Sequence, residues 1–72
     1  MDNIEFAEYR SRALKVVWSK FYAQFDIDER QLVRQPRFSI WTIDNICAVN
    51  WKNGNPINIC VDVLLDYLKE IA

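Results

Sequence analysis

Hydrophobic residues recur along the first third of the chain at alternating spacings of four and three. Ala7, Ser11, Leu14, Trp18, Phe21 and Phe25 make one stripe, widened by Val17 and Tyr22, and Glu5, Glu8, Arg12, Lys15 and Ser19 make the matching polar one. This is helical periodicity, and it predicts a helix over residues 3–25, six turns and about 34 Å long. Asp2 with Glu5 three residues on is an acidic version of the capping box. Glu8 and Arg12 are placed to pair one turn apart, with the acid on the N-terminal side. Asp26-Ile27-Asp28 interrupts the pattern. Asp28 is a suitable N-cap for a short helix through Val33 or Arg34, and Pro36 turns Gln35 away from helical geometry.

The stretch from Arg37 to Val61 changes character. It is dense in β-branched and aromatic residues, poor helix formers and good strand formers, and it is punctuated by Asp44-Asn45 and Asn53-Gly54. The preferred reading is a three-stranded antiparallel meander. Phe38 to Ile43 pairs with Ile46 to Lys52, which pairs with Asn55 to Val61 across the favoured hairpin dipeptide Asn53-Gly54. One sheet face then carries Trp41, Ile43, Ile46, Ala48, Ile57, Ile59 and Val61. The other carries Phe38, Ile40, Thr42, Cys47, Val49, Trp51, Pro56, Asn58 and Cys60. Asp62 caps a last helix through Ile71 that buries Leu64, Leu65, Leu68 and Ile71. The expected fold is therefore α+β: long N-terminal helix, short helix, three-stranded meander, C-terminal helix.

The alternative is all-α with four helices. Thr42 to Lys52 is then one helix with Gly54 just past its end, and Asn55-Pro56 opens a helix running to Ile71. Two features weigh against it. Asn50 falls on the core face of the third helix, and a helix over 56–71 is apolar on nearly every side.

Seventy-two residues make one small domain, and a composition 51% hydrophobic sets the chain apart from disordered sequences. The longest apolar run, Ile46 to Val49, is far too short to span a membrane. Acids near the N-terminus and no apolar segment behind them argue against a secretory signal, so the expected location is cytoplasmic. A net charge of −1 excludes a strong nonspecific polyelectrolyte binder.

Little in the sequence points to catalysis. There is no histidine, which removes the commonest general base and zinc ligand. Serines 11, 19 and 39 have no evident activating partner. Asp26-Ile27-Asp28 starts like a calcium loop, but Arg30 and Gln31 stand where the pattern wants an acid and a glycine, and capping explains the cluster. Cys47 and Cys60 sit opposite one another in the β register, where a cross-strand disulfide is imaginable. In a reducing cytosol they read as two small buried apolar residues. No enzyme, metal or cofactor is expected.

What remains is surface. The sheet face holding Phe38, Ile40, Val49 and Trp51 is larger than the C-terminal helix can cover, and exposed apolar patches of that kind mark interfaces. The expected function is a small non-catalytic protein-interaction module, an adaptor, subunit or regulator of a larger protein, binding through those residues to a protein partner or to a second copy as a homodimer. The alternative is a nucleic-acid-binding regulator that contacts phosphates through Arg30, Arg34 and Arg37, with Arg10, Arg12 and Lys15 extending the patch.

Overall fold

A computed structural model describes residues 5–72. Those residues form four helices in the order α1 (Phe6–Phe25), α2 (Glu29–Val33), α3 (Ile40–Lys52) and α4 (Ile57–Ile71), with no strand among them. The three-stranded meander and the α+β class are therefore wrong, and the all-α alternative with four helices is the observed fold. The helix expected over residues 3–25 is present from Phe6 onward. The Asp2 cap and positions 3 and 4 lie outside the described residues.

The overturning feature is the turn at Asn53-Gly54. Gly54 adopts φ 71°, but it does so just after a helix rather than between two strands. The Gly54 N–H donates to the carbonyl of Trp51 (3.1 Å) and the Asn55 N–H to the carbonyl of Asn50 (2.9 Å). This pair of bonds is the Schellman motif, which satisfies the last carbonyls of a helix. A left-handed residue is required in both readings, and Asn-Gly suits both. The start of α3 is equally well specified: Ser39 is the N-cap and its Oγ accepts from the Thr42 N–H. The β-branched residues between these caps accept helical geometry because the full burial of Ile43 and the partial burial of Ile46 outweigh propensities of a few tenths of a kcal/mol each.

Asn50, the residue that argued against a helix, does lie on its core face and is 7% exposed. Both ends of its amide are engaged. Nδ2 donates to the Ile46 carbonyl (2.8 Å) and Oδ1 accepts from Asn55 Nδ2 (2.8 Å), so its burial carries no unpaired-group penalty. The objection to a long last helix proves correct as chemistry and wrong as exclusion. α4 does run to Ile71, Asp62 is an exposed mid-helix residue rather than a cap, and Ile59 and Val63 stay exposed.

α3 and α4 form an antiparallel hairpin, and α1 packs against both. The core is Tyr9, Ala13, Val17 and Phe21 from α1; Ile43 and Cys47 from α3; Cys60, Val61, Leu64, Leu68 and Ile71 from α4; and Leu32 from α2. The α1 row runs straight along an i,i+4 line instead of the expected stripe. Leu14 and Trp18 are only half-buried, while Ala7, Ser11 and Phe25 are exposed. A helix resting in the groove of two others presents its small residues, Ala13 and Val17, to the closest approach, and the bulky ones flank it.

α2 is short but firmly closed. Asp28 and Gln31 make a reciprocal capping box: Asp28 Oδ1 accepts from the Gln31 N–H (3.0 Å) and Gln31 Oε1 from the Asp28 N–H (2.9 Å). Asp26 ends α1 in the left-handed conformation (φ 54°). The acidic cluster is thus capping, as expected. Leu32, fully buried, is the one side chain by which α2 enters the core.

Two substitutions separate packing from polar closure. Leu32→Ala is expected to cost about 2–5 kcal/mol, out of a total near 4–11 kcal/mol for a chain this long. Asn50→Ala, which removes few apolar contacts but strands the Asn55 amide, is expected to cost about 1–3 kcal/mol. Urea denaturation followed by far-UV circular dichroism measures both. A loss under 0.5 kcal/mol for Leu32→Ala would mean that α2 does not close the core.

Candidate functional site

Helical geometry redistributes the residues that a strand would have aligned. At about 100° per residue, Ile40 and Val49 fall on opposite sides of α3, whereas Ile40 and Trp51 share one flank three turns apart. That flank faces α1. Between them Asp44 accepts a hydrogen bond from Arg10 Nε, and the Trp51 ring leans on Phe6, with centroids 5.4 Å apart and planes tilted by 55°. Phe38 lies before the helix, half-buried against the core. The four residues expected to form one binding patch are therefore not brought together. Ile40 and Val49 are exposed, Trp51 is partly covered, and Phe38 is held among core side chains.

The residue that strand alternation misplaced is Trp41. Period two assigned it to the sheet face with Ile43 and Ile46. In the helix Ile43 is buried, Ile46 half-buried, and Trp41 is 80% exposed. Trp41, Asn45 and Val49 form an i,i+4 row along the outer side of α3, with adjacent members about 5–6 Å apart at Cβ. Asn45 and Lys52 are its polar neighbours on that side. Val49, 57% exposed, lies on the side of α3 turned away from α1, and by the same geometry Ile59 and Val63 lie on the corresponding side of α4. A wheel drawn over residues 40–52 would have found Trp41. The period, and not the composition, hid it.

The charges around this surface are few and mostly engaged. Arg12 Nη2 donates to Glu8 Oε1 (2.7 Å), an exposed pair one turn apart and worth little. Arg37 Nη1 donates to the Glu70 carbonyl (3.3 Å) in the last turn of α4, where a cation complements the helix dipole. The Tyr67 hydroxyl donates to the Arg37 carbonyl (3.2 Å) and accepts from the Ser39 N–H (2.8 Å), fixing the segment that leads into α3. Arg30 and Arg34 are exposed on α2. With Arg10 and Arg12 in ion pairs and Arg37 on a helix end, the arginines do not gather into one stripe.

No family model, curated protein or solved structure matches this chain. The surface must be read from its own chemistry. Among the described residues no three His, Cys, Asp or Glu side chains come together as a metal site, and no helix is long and apolar enough to cross a membrane. An open cleft of about 450 Å³ lies between the last turns of α1 and α4, lined by Lys20, Ala23, Gln24, Leu65 and Lys69. Its lining contains no carboxylate, thiol or hydroxyl.

The perturbed titratable groups lie in the core. Burial pushes the Cys47 thiol up from 9.0 to about 12, with the adjacent Cys60 adding to the shift. Burial also raises Cys60 and Tyr9. A folded chain that holds protons the unfolded chain has released loses stability as the solution becomes more alkaline. The contribution of Cys47 is complete below pH 9.0 and declines as the pH approaches about 12. The urea midpoint should therefore fall over that range, and Cys47→Ala should make the fall shallower. Equal slopes for the two proteins would show that the thiol is not held protonated by the fold.

Proposed function

We propose that the chain is a non-catalytic protein-binding module whose contact surface is the outer row of α3, with Trp41 as its anchor. The observation that carries this reading is the 80% exposure of Trp41. The core leaves the largest hydrophobic side chain type in water, on a regular helix pinned at both ends, in a row with Asn45 and Val49. Trp is enriched at binding hot spots because one side chain brings a large apolar area at low entropic cost. A helix offering apolar groups at i and i+8 on one side is the form taken by segments that bind in the groove of a partner protein. The partner so described has an apolar groove about three helical turns long with a pocket for an indole ring. Val49, two turns along the same row, extends the contact.

A second copy of this chain is one such partner. The exposed groups on the far side of the hairpin, Val49, Ile59 and Val63, form a small patch beside the roughly 800 Å² per partner that stable interfaces bury. Self-association through that patch alone would accordingly be weak.

Trp41→Ala tests the reading. Being exposed, the change should alter unfolding free energy by less than about 0.5 kcal/mol, while a bound partner should be lost with a drop of tenfold or more in affinity. The comparison uses immobilised wild-type, Trp41→Ala and a Lys15→Ala control, with captured proteins quantified by mass spectrometry, and sedimentation velocity across a wide concentration range for a self-partner. Identical capture and identical sedimentation by wild type and Trp41→Ala would remove Trp41 from the binding surface and sink the proposal.

A further inference from the structure

Cys47 and Cys60 have no part in the binding surface, yet they occupy the middle of the structure. Both are free and fully buried, and their Sγ atoms are 3.8 Å apart, one on each arm of the α3–α4 hairpin. No other cysteine is present in the chain. We infer that Cys47 and Cys60 are a modification site, a dithiol that closes into an intramolecular disulfide under oxidation and fastens α3 to α4.

Geometry selects the partner. A disulfide needs its sulfurs about 2.0 Å apart, so each thiol must move by roughly an ångström toward a neighbour that it already touches. Neither thiol is accessible to a second chain. The fold thus gives each sulfur a high local concentration of the other and a low one of everything else. The bond would close a ring through the Asn53-Gly54 turn and lie on the inner side of α3, with the binding row on the outer side.

The chemistry needs an external oxidant, and a small disulfide of the glutathione type suffices. One cysteine thiolate attacks a sulfur of that disulfide. The S–S bond of the oxidant breaks, one glutathione thiolate leaves, and a mixed disulfide forms on the chain. The second cysteine gives up its proton and attacks the chain sulfur of the mixed disulfide, releasing the second glutathione thiolate. Two cysteine thiols are oxidised, one glutathione disulfide is reduced, and two protons pass to solvent and to the leaving thiolates. Only a thiolate reacts, and burial holds Cys47 protonated well into the alkaline range. The first attack therefore waits for the hairpin to open transiently, while the second is rapid. The pair responds to sustained oxidation and passes over brief exposure.

The experiment equilibrates the whole chain in buffers of varied reduced-to-oxidised glutathione ratio, with and without denaturing urea, followed by acid quench and intact mass measurement. The expected product is monomeric and lighter by two hydrogens, forms reversibly, and has a melting temperature higher by about ten degrees or more. By linkage, the effective concentration of the pair in the native chain should exceed that in urea at least tenfold. Any of three results would overturn the inference: an equal or lower value in the native chain, a persistent glutathione adduct in the wild type, or disulfide-linked dimers as the main product. A sample that does not react when folded is driven to equilibrium by refolding from urea in the same buffers, and absence of the closed ring there also overturns it. Cys60→Ser, which cannot close the ring, should accumulate the Cys47–glutathione adduct.

Discussion

The three long helices meet at Asn55. Its N–H donates to the Asn50 carbonyl and its side-chain amide to Asn50 Oδ1, which closes α3 and turns the chain into α4. Its own carbonyl accepts from the Tyr9 hydroxyl (2.8 Å), which brings in the first turns of α1. Each of these bonds is ordinary in strength, near 1 kcal/mol net. Their value lies in being shared and shielded, since a network of satisfied buried groups fixes one arrangement where apolar packing alone would tolerate several. The antiparallel hairpin, the seat of α1 and the contact of Cys47 with Cys60 all follow from the chain reversing at that residue.

From that reversal the surfaces follow. An α3–α4 hairpin has one groove that α1 can fill and an opposite side that it cannot reach. α2 enters the core only through Leu32. Among the described residues no element lies over the outer side of α3, and Trp41 and Val49 remain in water. In a larger domain those residues would be core. Here they are surplus, and surplus apolar surface on a rigid element is the usual material of an interface. The core is completed by two thiols and a tyrosine, and burial raises the pKa of each.

Much of the fold was legible locally. The first helix, the Asp28 cap of the second and the Glu8–Arg12 pair rest on interactions spanning a few residues, and helical period alone marked Leu64, Leu68 and Ile71 as buried, with Leu65 only half-buried. The pairing of Cys47 with Cys60 was legible for a further reason. An antiparallel reversal centred on residues 53 and 54 sets Cys47 opposite Cys60 whether the arms are strands or helices. The exposure of Trp41 was not legible, because period two and period 3.6 assign opposite faces to it, and residues 38–51 satisfy both periods in part.

By itself the sequence determined the reversal at Asn53-Gly54, which segments are apolar and which chemistry is scarce, whereas the turn it suggested at Asp44-Asn45 lies inside α3. These depend on side-chain identity and on neighbours a few positions away. Tertiary structure decided the helical state of residues 40–52, because β-branched and aromatic residues there carry only a small intrinsic bias against helix. That bias yields once Ile43 and Cys47 are buried against α4 and Asn50 finds its partner in Asn55. It also decided which tryptophans are covered. Trp51 gained Phe6 from a helix forty-five residues earlier, and Trp41, in the first turn of α3, met nothing that could exclude water from it.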